Sequence, residues 1–276
     1  MKQLFTYSEV AGWLINSVQS WEKGQRCRRR LCPSVLAGYG KAPLMPAAAG
    51  VLQCCGLAGR TRAAADGPVP HVEIIELNFD NSKGEFVHEP NPLVAANLRM
   101  TQDAVLKHGA DIGFCYDGDA DRCVVVDEQG QIVGCDQLTG VLAPFFLKRL
   151  PKGSPNTAVC YDLRSTMAVA EEIVRAGGRP VRSRVGHVFM KAAMAEHGCV
   201  FGGELSGHFY FRENFNADSG AIAMATVLTL LKQSGKKMSQ LVAPLRRYQQ
   251  SGEINFQIED KDAALAKLKE ALDGDG

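Results

Sequence analysis

An apolar run leads directly into three regularly spaced carboxylates, and this junction constrains the fold more than any other stretch of the chain. The run is residues 112–116, and the carboxylates are Asp117, Asp119 and Asp121. Because side chains alternate between two faces in extended backbone, the three carboxylates are predicted to lie on one side. A hard cation relieves such a concentration of negative charge, and Mg²⁺ prefers oxygen ligands. The junction therefore predicts a Mg²⁺ site at the end of a buried strand.

Two other interpretations compete with the Mg²⁺ site. Asp at the first, third and fifth positions of a loop, with Glu128 at the twelfth, imitates a calcium-binding helix-loop-helix. Arg122, however, stands where that loop needs glycine for its sharp turn, and the flanking residues are typical of strands. A plain polar turn is the other alternative, since Asp-Gly is a common hairpin signal. Such a turn accounts for one Asp-Gly pair and not for three spaced carboxylates followed by an arginine.

Composition predicts a water-soluble globular protein. The chain has 276 residues, of which 46% are hydrophobic and 22% charged. The longest uncharged stretch, residues 42–59, contains two prolines and is too weakly apolar to span a membrane, and the N-terminus does not resemble a signal peptide. Most of the nine cysteines lie in apolar runs and lack zinc-ligand spacing, which indicates buried thiols and a reducing compartment. We therefore expect a cytoplasmic protein with no membrane partner.

Residues 1–70 differ from the rest of the chain. They hold nine Lys and Arg against three Asp and Glu, whereas the remainder holds 22 against 27. The arginines at 28–30 have no interleaved aromatic residues and match no nucleic-acid-binding module, so no nucleic-acid partner is expected. No hydrophobic spacing typical of a strand or a helix continues through this segment as far as residue 70. Residues 1–70 are therefore predicted to be an atypical, disordered segment.

From residue 72 onward, strand and helix patterns alternate, which predicts an α/β fold with helices covering a sheet. Residues 71–152 form a first unit that a helix at 138–150 completes. A Pro- and Gly-containing linker at 151–155 leads into a second unit, residues 153–250, with the same alternation. Beyond residue 250, in residues 251–276, the patterns predict a strand at 252–258 and a helix at 260–272.

A second motif, Gly-Gly-Glu-Leu-Ser-Gly-His at residues 202–208, follows the carboxylate motif at 117–122. In this order, the two motifs resemble those of the α-D-phosphohexomutase family, which includes phosphomannomutase and phosphoglucomutase. The resemblance extends from Val72 to Gln257. It implies two consecutive mixed-sheet βα domains, equivalent to the second and third domains of the family, and the start of its small α+β fourth domain.

The resemblance also implies roles for individual residues. Asp117, Asp119 and Asp121 would hold Mg²⁺, and Arg122 would fork onto the transferred phosphate. Glu204 offers acceptors suited to sugar hydroxyls. The implied catalytic residues are His187 and Arg122. The implied substrate-binding residues are Glu204, Ser206, Gly207, His208, Arg164 and Lys191.

Plainer roles remain for several of these residues. In an ordinary Gly-rich turn, Glu204 would face solvent. His187, at a predicted helix start, is equally suited to capping or packing. Arg164 is equally suited to a solvated helix start, and His208 to holding its own loop. These alternatives stay open from the sequence.

Two parts of the family's active site have no counterpart in this sequence. The active-serine motif, Thr-Ala-Ser-His-Asn-Pro, is absent, and so is the C-terminal phosphate-binding loop. The resemblance thus implies a partial chain that lacks the first domain and most of the last. In the intact family enzyme, hexose 1-phosphate and hexose 6-phosphate interconvert through a phosphoserine and Mg²⁺.

The partial match leads to two expectations about activity. The chain is predicted to be inactive alone, with mannose or glucose phosphates as its ligands. A separate chain carrying the serine domain would complete a split enzyme. A non-catalytic sugar-phosphate-binding protein is the alternative.

Overall fold

The computed structural model describes residues 48–54, 72–78, 86–250 and 257–273. Within these ranges the chain forms ten strands and seven α-helices, joined by three short 3₁₀ turns. In chain order they are β1 Ala48–Cys54, β2 Val72–Leu77, α1 Arg99–His108, β3 Ile112–Tyr116, β4 Cys123–Asp127, β5 Ile132–Val133, α2 Cys135–Lys148, β6 Ala158–Asp162, α3 Met167–Arg175, β7 Arg179–Ser183, α4 His187–His197, β8 Phe201–Gly203, β9 Phe209–Phe211, β10 Ala217–Asp218, α5 Gly220–Ser234, α6 Met238–Val242 and α7 Lys261–Leu272.

The strands form two five-stranded sheets with one topology. The first sheet has the order β2-β1-β3-β4-β5, and the second has the order β7-β6-β8-β9-β10. In each, three parallel strands are followed by two antiparallel ones. The predicted α/β class, with two consecutive mixed sheets, is confirmed. The repeat places the turn after the third strand, β3–β4 or β8–β9, at equivalent positions in the two sheets.

One strand of the first sheet is not predicted by the sequence. β1 lies between β2 and β3, with Gly50 aligned to Ile74 on one side and to Ile112 on the other. Its sequence, AAGVLQC, has one β-branched residue, and Ala and Gly are depleted in strands, so local propensity does not indicate it. Backbone hydrogen bonds to its two parallel neighbours, β2 and β3, compensate for this weak strand propensity. The prediction of disorder for residues 1–70 is thus wrong at 48–54, and its remainder lies outside the described residues.

Helix α2 packs on the second sheet, although the sequence pattern assigns it to the first unit. It is apolar around most of its circumference and is almost entirely buried. The ring of Phe146 stacks on that of Phe201 in β8, with centroids 4.6 Å apart. Gly203 permits this approach, since a Cβ there would lie 2.1 Å from Oγ1 of Thr139. A helix with so wide an apolar surface needs cover from several elements, and β8 and α3 provide it.

The two sheets share one hydrophobic core. Buried residues of β3 and β4 belong to the same cluster as those of β8 and β9. The thiols of Cys115, Cys123, Cys135, Cys160 and Cys199 are buried, as predicted. No helix in the described ranges is long and apolar enough to cross a bilayer. The shared core holds the ends of β3 and β8 side by side, and this is where the two sequence motifs lie.

The described helices differ from their predicted ends. Of the two cap candidates that the sequence offers for α5, Asp218 and Ser219, Ser219 fills the role by accepting a hydrogen bond from the backbone N of Ile222. Ser165 does not cap α3, because its hydroxyl donates to Asp162 instead. The helix predicted from Met238 to Tyr248 ends at Val242 and continues as a 3₁₀ turn that contains Pro244. The strand predicted at 252–258 lies mostly outside the described residues.

Candidate metal and sugar-phosphate site

Two loops from equivalent positions in the two sheets meet edge to edge. The Asp loop, residues 117–122, joins β3 to β4, and the Glu loop, residues 204–208, joins β8 to β9. Arg122 and His208 pair as an antiparallel bridge. The backbone N of Cys123 donates to the carbonyl of Gly207 over 3.0 Å. Backbone hydrogen bonds therefore join the two motifs into one site.

The Asp loop brings its three carboxylates together. One oxygen from each of Asp117, Asp119 and Asp121 lies within 4.8 Å of the other two. Ala120 makes the required turn with a left-handed φ of 62°. Within the described residues, the buried Oδ1 of Asp121 makes no hydrogen bond of standard geometry, although Nε2 of His208 lies 3.5 Å from it. A compact set of carboxylate oxygens fits Mg²⁺, which prefers oxygen ligands.

Arg122 lies against the Asp loop. Its Nε donates to Oδ2 of Asp117, and its backbone N donates to Oδ1 over 3.2 Å. Burial raises the pKa of Asp117, and the hydrogen bonds from Arg122 only partly oppose this effect. The guanidinium that the resemblance directs toward a phosphate is thus paired with a candidate metal ligand in this structure.

His208 is surrounded by carboxylates from both loops and from β10. Its Nε2 lies 3.5 Å from Asp121 and 4.0 Å from Asp218, and its Nδ1 lies 3.8 Å from Glu204. The hydroxyl of Ser206 lies 2.8 Å from Nδ1. Burial lowers the pKa of His208, but the contacts with Asp121, Asp218 and Glu204 outweigh it and leave the pKa raised. The interaction with His208 in turn lowers the pKa of Asp121.

This arrangement predicts that His208 stabilises the metal-free fold at low pH. Because its folded pKa is raised, its contribution should be complete below its unfolded pKa, about 6.5, and should disappear as pH rises through the folded value. In EDTA, the difference in unfolding free energy between wild type and His208→Gln should shrink from pH 6 to pH 8. Urea unfolding of both proteins at several pH values measures this difference in unfolding free energy. The exposed His108 provides the control as His108→Gln, and a pH-independent difference for His208→Gln would contradict the prediction.

Glu204 is held from two sides. Its side chain is buried, with the residue 1% exposed. Oε1 accepts from the backbone N of Gly186 over 2.8 Å, and Oε2 accepts from the hydroxyl of Tyr210. The alternative in which Glu204 faces solvent is therefore wrong. Both oxygens of the Glu204 carboxylate therefore have a donor within the protein.

The other predicted residues lie around the same two loops. Nε and Nη2 of Arg164 donate to Asp162 over 3.0 and 2.8 Å, so this residue is not a merely solvated helix-start charge. Nζ of Lys191 lies 3.1 Å from Oδ1 of Asp218, so Lys191 pairs with one of the carboxylates that surround His208. His187 is exposed at the first turn of α4, directly after the glycine that contacts Glu204.

Asp162 and Asp218 are members of the site that the sequence patterns do not indicate as functional. Asp162 ends β6 and is fully buried, and Asp218 precedes the cap of α5. A carboxylate at the carboxyl end of a predicted strand was the available signal for Asp162. The sequence pattern offers Asp218 only as a possible cap of α5, because its contact with His208 depends on the pairing of β9 with β10.

Comparison with known proteins agrees with this geometry. The sequence model described as Phosphoglucomutase/phosphomannomutase, alpha/beta/alpha domain II, matches residues 57–130. The model of domain III of the same family matches residues 135–248. Together they cover both loops, the second sheet and strands β2 to β4 of the first sheet. The chain belongs to the phosphoglucomutase/phosphomannomutase family.

Curated members of the phosphoglucomutase/phosphomannomutase family match over the same region. A protein named "Phosphohexose mutases" from Xanthomonas campestris pv. campestris is 42% identical over 203 residues, which is 72% of this chain and 44% of that protein. A phosphomannomutase from Methanocaldococcus jannaschii is 37% identical over 206 residues, 72% of this chain and 45% of that one. The chain thus spans less than half the length of these relatives. The family as named is one of isomerases.

Solved structures of the family support the fold. A phosphoglucomutase/phosphomannomutase family protein from Burkholderia thailandensis superposes with a TM-score of 0.62 at 27% identity, covering 76% of this chain and 45% of that one. A phosphomannomutase-like structure from Thermus thermophilus gives a TM-score of 0.59 at 19% identity, covering 78% and 47%. The second likeness concerns the fold alone.

Proposed function

We propose that this chain supplies the metal-binding and sugar-binding parts of a phosphohexomutase, which interconverts hexose 1-phosphate and hexose 6-phosphate through a phosphoserine and Mg²⁺. One observation supports this function above the others: the carboxylate loop and the Glu loop are joined by backbone hydrogen bonds into one site. The relatives named phosphomannomutase support hexose phosphates of mannose or glucose as ligands.

The residues of the site suit phosphoryl transfer, which depends on positioning and on neutralising charge. Mg²⁺ held by Asp117, Asp119 and Asp121 would neutralise charge on the oxygens of the transferred group. Arg122 is the cation nearest to this site along the chain and would bind the same phosphate once released from Asp117. Glu204 and Ser206 would hold sugar hydroxyls as acceptor and donor.

We further propose that the chain does not turn over by itself. Its sequence has no active-serine motif, and it covers 44% of the Xanthomonas relative. A domain that carries the serine would complete the enzyme. A coupled assay of glucose 1-phosphate to glucose 6-phosphate conversion, with Mg²⁺ and a bisphosphate activator, checks this. Turnover by the purified polypeptide of residues 1–276 would contradict the proposed dependence on a serine-bearing domain.

Mg²⁺ binding is tested by titration calorimetry of the wild type and Asp119→Asn. Asp119 is exposed at the tip of the Asp loop, so its replacement changes the ligand set without opening the core. We expect Mg²⁺ affinity to fall more than about tenfold, or about 1.4 kcal/mol. The matched control is Asp103→Asn on the exposed face of α1, which should leave the affinity unchanged. Equal affinity in wild type and Asp119→Asn would exclude the carboxylate triplet as the site.

A further inference from the structure

We infer, on the basis of the proposed function, that Asp162 is a positioning residue for substrate recognition. It is the last residue of β6 and its side chain is completely buried. It contacts both Arg164, to which the family resemblance gives a substrate-binding role, and the Glu loop, which the proposed function assigns to the sugar. The buried carboxylate of Asp162 sets the position of Arg164 relative to the Glu loop.

Four hydrogen bonds converge on this carboxylate. Oδ2 accepts from Nε and Nη2 of Arg164, over 3.0 and 2.8 Å, and from the backbone N of Leu205 over 3.2 Å. Oδ1 accepts from the hydroxyl of Ser165 over 2.8 Å. The guanidinium is thereby held along one edge, which sets its orientation as well as its position. Leu205 directly follows Glu204, so the same oxygen also fixes the start of the Glu loop.

The energetics favour one arrangement of these groups. A buried carboxylate is costly unless it is paired and hydrogen-bonded, and here the donors come from the strand end and from the Glu loop. If the carboxylate were lost, the Leu205 amide and the Arg164 guanidinium would lose a shared acceptor. The guanidinium is partly exposed, with 22% of its side-chain surface accessible, so it lies where a ligand can reach it. Asp162 therefore acts through Arg164 and Leu205 and not by touching the ligand.

Glu204 has independent anchors, and these separate the role of Asp162 from general loop stability. Gly186 and Tyr210 hold the Glu204 carboxylate, and the backbone of Cys123 holds Gly207. Without Asp162, the Glu loop should thus stay attached at its carboxylate and at its far end. The expected change is local, at Leu205 and Arg164.

The variant Asp162→Asn tests this, because it keeps the volume and places an amide against donors. By NMR hydrogen exchange on the full chain, the Leu205 backbone N–H and the Arg164 Nε–H should exchange at least about tenfold faster, with protection in the middle of β6 retained. The control is Asp127→Asn. Asp127 is also fully buried and accepts from the backbone N of Gln129 and Gln131, but it lies in the β4–β5 hairpin. Asp127→Asn should leave the exchange rates of the Leu205 backbone N–H and the Arg164 Nε–H unchanged.

Binding of glucose 1-phosphate, followed by calorimetry, provides the functional arm. Asp162→Asn and Arg164→Gln should each weaken binding about tenfold, and the double variant should lose little more, because both act through one contact. If Asp162→Asn does not fold, Arg164→Lys replaces it, since it keeps the charge without the fork and should show the same loss.

The outcomes separate the inference from the function on which it rests. Unchanged exchange at Leu205 and Arg164 overturns the positioning role, and so does unchanged affinity in Asp162→Asn or Arg164→Lys. A wild type that binds no hexose phosphate overturns the proposed function, and with it any role of Asp162 toward that ligand. Additive losses in the double variant would show that Asp162 and Arg164 act separately, which also overturns the inference.

Discussion

Replacing Phe201 by alanine should lower the free energy of unfolding by about 3–5 kcal/mol. The side chain is completely buried in β8, between helix α2 and the strand that follows. Its ring lies 4.6 Å from that of Phe146, 5.6 Å from Phe211 and 6.4 Å from Phe209, between centroids. Because strands and a packed helix carry these neighbours, the cavity cannot collapse easily, and the upper part of the range is expected. Guanidinium unfolding measures the effect.

Phe215→Ala is the matched control for this prediction. Phe215 is 81% exposed in the turn between β9 and β10, so its truncation should change stability by less than about 0.5 kcal/mol. A cost below about 1.5 kcal/mol for Phe201→Ala would mean that α2 does not pack tightly on the second sheet. It would contradict the shared core that holds the two loops together.

Replacing Gly220 by alanine should destabilise the protein by about 1–3 kcal/mol and weaken Mg²⁺ binding. A Cβ at this first residue of α5 would lie 2.7 Å from the carbonyl oxygen of Ala120 and 3.0 Å from that of Arg122. Both are backbone atoms of the Asp loop, so relief of the clash must move the loop or the helix. Helix propensity alone predicts the opposite sign, since alanine is favoured over glycine by up to about 1 kcal/mol. Unfolding and Mg²⁺ titration of the same sample measure the two effects.

The control for Gly220→Ala lies at the other end of the same helix. Gln233 is exposed, and Gln233→Ala should change neither stability nor Mg²⁺ affinity measurably. A more stable Gly220→Ala variant with unchanged Mg²⁺ affinity would show that α5 does not position the Asp loop.

Elements whose signals are local could be predicted from the sequence. Alternating strand and helix patterns predicted most elements from β2 to α5, and the family resemblance implied that the two sheets are mixed. The predicted grouping of Asp117, Asp119 and Asp121 needs only the backbone of one loop, so it was also within reach of the sequence. The order of the two motifs indicated the family, which the matches over residues 57–130 and 135–248 then showed.

The pairings between distant segments required the folded structure. β1 has weak propensity of its own and is recognisable only between its two partners. Helix α2 packs on the second sheet because of its contacts with Phe201 and Gly203 in β8. The contacts of Asp162 with Leu205, and of His208 with Asp121 and Asp218, span 10 to 87 residues of chain. Local patterns report which face of an element is apolar, whereas the partner is selected by shape and charge complementarity across the folded core.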